Sequence, residues 1–143
     1  MSWVMAHLNI QQLKLRKCDL EYALICLSDS KQALHYQQTC QLQDLQIKYD
    51  AESELIAEEF EDMDESDYDQ QIERLTKYYE LKQKQQNEED EIRNRMSEKE
   101  IVINRRQEVM ETQLEAVNAD LENMEKARDK FIEQECSYFK NEQ

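Results

Sequence analysis

Glycine and proline are both missing from all 143 residues, where average usage would supply about seventeen of the two together. Without glycine the chain lacks the residue that phosphate cradles and nucleophile elbows use for close backbone approach. Enzyme active sites sit mostly on loops, and nothing here is built to form one, so the chain reads as non-enzymatic, with no catalytic residue and no cofactor-binding residue to assign. No apolar run approaches the roughly eighteen residues of a membrane span. The apolar start, Met1 to Ile10, lacks the cationic region and small-residue cleavage site of a secretory signal. The expectation is a soluble chain made in the cytosol, with its final location open and export by a signal-peptide-independent route compatible with the sequence.

Histidine is scarce: His7 and His35 share no ligand spacing with Cys18, Cys26, Cys40 or Cys136, and no C-x-x-C occurs. That pattern argues against zinc and for free thiols in a reducing compartment. Basic residues are missing from a whole stretch: residues 51 to 73 hold eleven acids and no base, while residues 1 to 50 balance at five of each. With a net charge of −15, the chain would be repelled by phosphate backbones and by anionic lipid. Its partners should be proteins.

What the sequence does contain is helical periodicity. Met96, Ile103, Met110, Val117, Met124, Phe131 and Tyr138 recur every seven residues. Counting backwards past Glu89 and Lys82 reaches Leu75 and Tyr68. A companion series, Ile72, Tyr79, Gln86, Arg93, Glu100, Gln107, Leu114, Leu121, Arg128 and Glu135, completes a coiled-coil heptad. One register is expected from Tyr68 to Tyr138, in a helix roughly 105 Å long at 1.5 Å per residue.

Residues 3–60 read as a first helix, with a stripe through Ile10, Leu13, Leu20, Leu24, Leu27, Leu34, Leu42, Leu45, Tyr49, Ile56 and Phe60. Lys17, Lys31 and Gln38 interrupt it at heptad positions. Leu34, Leu45 and Ile56 are spaced by eleven, which predicts a straighter helix than a strict heptad would. Residues 61–67 break the pattern, and Ser66, with Asp69 three residues on, predicts a capped start for a second helix over 68–139. Any left-handed position in this turn would fall to an Asp.

A reversal near residue 65 pairs position i with about 130 − i. Leu13 then meets Val117, Leu20 meets Met110, and the two glutamine-rich middles face each other. The predicted fold class is all-α, a single antiparallel helical hairpin, with Lys31, Gln38, Gln86, Glu89 and Arg93 as polar core positions that specify register. Trp3 should lie beside Ala127, leaving about fifteen C-terminal residues unpaired on that reckoning. Their aromatic content suggests a contact surface. Trp3, Leu8 and Ile10 at one end, with Phe131, Ile132, Tyr138 and Phe139 at the other, are the candidate interface residues. Leu15, Tyr22, Ile25, Ile47, Leu81, Ile92, Val102 and Val109 fall outside the main seam and call for helices from other chains.

One stretch has a chemical reading. Asp62, Asp64, Ser66, Tyr68, Gln70 and Glu73 occupy the ligand positions of a twelve-residue EF-hand loop, with Asp67 in place of the turn glycine. Calcium, held by Asp62, Asp64, Ser66 and Glu73, is therefore the one candidate ion.

The outline of two long antiparallel helices in a chain of this length resembles the small coiled-coil stalk proteins of bacterial flagellar and type III export machines. The run from Glu111 to Met124, ETQLEAVNADLENM, is similar to segments of bacterial helical proteins. The resemblance covers architecture and implies a structural or export role through protein contacts. Three functions follow as expectations: a self-assembling coiled-coil subunit, a monomeric hairpin that binds a partner as a chaperone or stalk does, or a calcium-responsive helical protein.

Overall fold

The computed structural model describes residues 2–141. Helix α1 spans Trp3–Glu59 and helix α2 spans Tyr68–Asn141, and the two pack on each other as an all-α helical hairpin with no strand among the described residues. Ser2 caps α1, its Oγ accepting from the Met5 amide at 3.4 Å and its carbonyl from the Ala6 amide at 3.1 Å. Uninterrupted helices of this length require that no residue break the ladder, and a chain without glycine or proline meets that condition.

The chain divides into two compact units. One joins the chain up to Ser30 with the chain from Ile103 onward, and the other is Lys31–Val102. They follow different repeats.

In the first unit both helices are heptad. Ala6, Ile10, Leu13, Lys17, Leu20, Leu24 and Leu27 alternate at spacings of four and three and are buried or half-buried, as are Ile103, Gln107, Met110, Leu114, Val117, Leu121, Met124, Arg128 and Phe131. Ile10, Leu20, Val117 and Leu121 form the core, lined by Leu13, Met110, Leu114 and Met124. Arg16 closes one side by donating from Nη2 to Gln113 Oε1 at 3.2 Å.

In the second unit both helices repeat every eleven residues. On α1 the inward positions are Leu34, Leu45 and Ile56, with Gln38 and Tyr49 beside them and Phe60 one period on, just past the helix end. On α2 they are Tyr78, Glu89 and Glu100, one period after the capping Asp67, with Arg74, Gln85 and Met96, and Leu81 and Ile92. Eleven residues in three turns is the period of a nearly straight helix, since a straight helix drifts about 20° per heptad.

This overturns the expectation of one heptad register along α2. Counted back from Met96, the seam moves one residue toward the N-terminus, so Tyr68, Ile72, Leu75 and Tyr79 face solvent, Ile72 at 61 % exposure. Gln86 and Arg93, expected in the polar core, are exposed, whereas Leu81 and Ile92, expected outside, turn inward. The reason lies on the partner helix. A continued heptad on α1 would bury Lys48 and Leu55, whereas the eleven-residue repeat buries Tyr49 and Ile56 together with Leu45. Because α1 is straight here, α2 must match its period to keep the layers facing each other.

The reversal uses three tight steps: the Glu61 amide donates to the Glu58 carbonyl, Met63 to Phe60 and Asp67 to Asp64, at 3.0–3.3 Å. No described residue has positive φ, so no Asp is needed in the left-handed region. The α2 cap also differs from expectation. Asp67 Oδ1 accepts from the amides of Asp69 at 3.1 Å and Gln70 at 3.3 Å, while Ser66 is engaged by Asp64, whose Oδ1 takes its amide at 3.0 Å and its hydroxyl at 2.8 Å. The carboxylate is the better acceptor at the positive end of a helix dipole, and Asp67 stands one residue closer to the helix. The last turn of α1 has no basic residue. Lys77 of α2 supplies that charge, pairing with Glu59 and lying 5.3 Å over the Phe60 ring.

Candidate interaction surfaces

The acidic turn is occupied by its own hydrogen bonds. Ser66, first through its amide and then its hydroxyl, holds the Asp64 carboxyl below the usual carboxylate range, Asp67 caps α2, and the Gln71 side-chain Nε2 donates to the Glu65 carbonyl. An EF-hand loop would keep Tyr68 and Gln70 in the wrap around an ion, but here both are already helical, as is Glu73, which pairs with Lys77 at 3.8 Å. Of the four candidate ligands Asp64 and Ser66 are bonded to each other and Glu73 to Lys77, and among the described residues no three His, Cys, Asp or Glu side chains gather in a metal-holding group. The ligand spacing is matched in sequence by a turn that has a different shape.

The polar middle of the second unit is a set of bridges between the helices. Gln85 donates to Gln46 across the pair at 3.0 Å while Glu89 on its own helix also accepts from it at 3.1 Å; across the helices Lys48 pairs with Glu88 at 3.3 Å, and Lys31 with Glu100 at 3.7 Å. Gln85 thus takes the part expected of Gln86, which instead bonds Asp90 on its own helix. All these groups are partly solvated, so each pair is worth little in stability, but each is matched in only one register. Tyr49 sits among them at 2 % exposure, and its hydroxyl makes no hydrogen bond of good geometry. Burial first, then the Glu88 carboxylate, pushes the Tyr49 phenol up to about 12. The same proximity, with Tyr49 the largest cause and Lys48 adding to it, holds Glu88 below the usual range. The carboxylate is thus close enough to act on the phenol electrostatically, although the bond itself is not formed.

At the chain ends, Trp3 lines a groove of about 270 Å³ with Ile132, Glu135, Cys136 and Phe139. Its neighbours lie well past Ala127, the residue expected beside it. Helical side chains lean toward the N-terminus of their own helix. In an antiparallel pair this moves each α1 side chain onto later residues of α2. The groove is open, with Leu8, Ile132, Tyr138 and Phe139 exposed, and Phe131 is half-buried. Ile10, grouped with these from sequence, is wholly buried in the core between α1 and α2 and is no contact for another molecule. A larger groove of about 480 Å³ runs beside that core, with Leu13 and Met124 at its floor and Asn9, Gln12, Arg16, Asp120 and Asn123 around it.

The outer side of α1 is left uncovered by the hairpin. Val4, Leu8, Leu15, Cys18, Tyr22 and Ile25 are all exposed, Leu15 at 68 % and Tyr22 at 70 %. With Gln11 they stand at alternating spacings of four and three, the same rule as the buried stripe of this helix but on its opposite side. The sequence already sets Leu8, Leu15, Tyr22 and Ile25 apart as contact residues; their union with Val4 and Cys18 in one continuous stripe is what the fold adds. No helix among the described residues is long and apolar enough to cross a membrane. Set against protein-family models, curated proteins and solved structures, the chain matches none of them.

Proposed function

We propose that this chain is a non-enzymatic coiled-coil structural protein that assembles with copies of itself through helix-to-helix contacts. The observation that carries the reading is that each helix keeps apolar side chains at helical spacing outside the seam that the hairpin uses. Val4, Leu8, Leu15, Cys18, Tyr22 and Ile25 on α1 and Tyr68, Ile72, Leu75 and Tyr79 on α2 remain exposed after folding. Solvated helices normally present charge on that side, and apolar patches of this extent mark interaction sites. Four of the acids around the turn and the polar middle are spent in local contacts: Asp64, Asp67, Glu59 and Glu88 each serve a turn, a cap or a bridge. The stalk and export proteins that the outline resembles would use such a hairpin in the same way, as a subunit or a docking element.

The test is direct capture of one copy by another. Affinity-tagged chain mixed with untagged chain should retain the untagged chain after unfolding and refolding together. Retention of none, at concentrations well above micromolar, would remove the assembly reading and leave a monomeric hairpin that waits for a different protein.

A further inference from the structure

The outer stripe of α1 has the form of a second coiled-coil seam, and we infer that a second copy of this chain docks there, antiparallel, with α1 lying against α1. This rests on the assembly reading above and names the face that carries it. The stripe has seven successive positions, Val4, Leu8, Gln11, Leu15, Cys18, Tyr22 and Ile25, of which six are apolar; all seven are exposed, and Tyr22 reaches its neighbour Cys26 on the same helix. Ordinary surface helices do not sustain that alternation over three heptads on the side away from their core.

Charge selects the occupant. The chain carries a net −15, but its first thirty residues hold Lys14, Arg16 and Lys17 against Asp19, Glu21 and Asp29. Lys17 belongs to the buried seam and Arg16 to Gln113, so the stripe itself is bordered by Lys14 against Asp19 and Glu21. It is far less acidic than the 51–73 stretch, and two copies can meet on it with little of the repulsion that stretch would impose. Lys14 and Glu21 border the stripe on one side, and Met5, Gln12, Asp19 and Cys26 on the other. Laid antiparallel and centred between Leu15 and Cys18, two copies put Leu8 opposite Ile25 and Leu15 opposite Cys18. Lys14 then faces Glu21 twice, once from each copy, and Met5 is covered by Cys26. Gln11, the one polar position, comes opposite Tyr22, whose hydroxyl can meet its amide. A parallel pair would instead stack Gln11 on Gln11 and Tyr22 on Tyr22, and would leave Met5 uncovered.

The size of the stripe sets the strength. The stretch of stripe paired in this register, Leu8 to Ile25, is about seventeen residue steps, roughly 26 Å at 1.5 Å each, and a helix face about 12 Å wide gives roughly 300 Å² on each copy. A total of roughly 600 Å² lies below the range of stable interfaces, so pairing should be weak, with a dissociation constant on the order of micromolar or higher.

Equilibrium sedimentation of the full chain across two decades of concentration around that value tests the inference. Wild type should move from the single-chain mass of 17.3 kDa toward twice that mass. Leu15→Glu, at an exposed position outside the core, should stay at 17.3 kDa over the same range with its helical circular dichroism unchanged. Lys14→Glu should weaken pairing at least five-fold or so, and adding Glu21→Lys should restore it. Pairing undiminished in Leu15→Glu would overturn this face while leaving self-assembly standing. A double charge exchange that fails to restore pairing would overturn the antiparallel arrangement. Wild type that stays at the single-chain mass throughout would remove both the face and the assembly reading.

Discussion

Ile72 and Ile92 are the same residue on the same helix, and the two periodicities assign them opposite fates. A heptad register buries Ile72 and leaves Ile92 outside, whereas the structure leaves Ile72 at 61 % exposure and turns Ile92 toward α1. Isoleucine to alanine removes three carbons, each worth about 0.8 kcal/mol when fully buried. At half-buried Ile92 the lost transfer energy and the space left behind should cost about 1.5–2.5 kcal/mol. At Ile72 most of that surface is already wet, and the cost should be below about 1 kcal/mol. Alanine returns a few tenths of a kcal/mol in helix propensity at either site, so the difference between them is unaffected. Thermal and urea unfolding followed by far-ultraviolet circular dichroism would read it, at one common protein concentration because association links stability to concentration. At about 4 °C per kcal/mol for a chain of this size, Ile92→Ala should lower Tm by about 6–10 °C and Ile72→Ala by less than about 4 °C. Equal losses, or a larger loss at Ile72, would refute the eleven-residue register.

Other substitutions test the same structure. Asp67→Ala should cost about 1 kcal/mol by removing the α2 cap, and Ser66→Ala only a few tenths, as chemical denaturation would show. Replacing both Gln38 and Gln85 by Leu should raise Tm while broadening the range of oligomers seen by light scattering, whereas Gln86→Leu should do neither, since Gln86 faces solvent. Tyr49→Phe should alter the alkaline limb of stability. The folded phenol titrates at about 12 against an ordinary value of 10.0, so the stability gained by keeping it neutral is complete below pH 10 and is lost as pH rises through 12. Phenylalanine cannot titrate, and the variant's melting profile should therefore fall less steeply than wild type's in that window.

Much of the fold was legible in the sequence because the stronger apolar stripes of the two helices coincide once the chain is folded back. Leu13 and Leu20 fall level with Val117 and Met110, the layers that form the core, and an acidic interruption without glycine or proline leaves one place to reverse. The α2 register between Tyr68 and Arg93 was not legible from α2 alone. Its heptad set, Tyr68, Ile72, Leu75 and Tyr79, is as apolar as the set the structure uses, Tyr78, Leu81, Ile92 and Met96. Only the straight run of Leu34, Leu45 and Ile56 on the facing helix decides between them. The cap moved from Ser66 to Asp67 for a similar reason, because Asp64 competes for the serine. Ile10 was misplaced among contact residues because its neighbours Trp3 and Leu8 are exposed, although its spacing to Leu13 already put it in the core stripe.

The apolar stripes left outside the hairpin are the centre of this account, and the mass of the wild-type chain in solution tests them most directly. Multi-angle light scattering on a dilution series should give a weight-average mass that rises above 17.3 kDa with concentration. A mass fixed at 17.3 kDa at every concentration would contradict it, because the stripes would then be solvated surfaces with no copy to cover them.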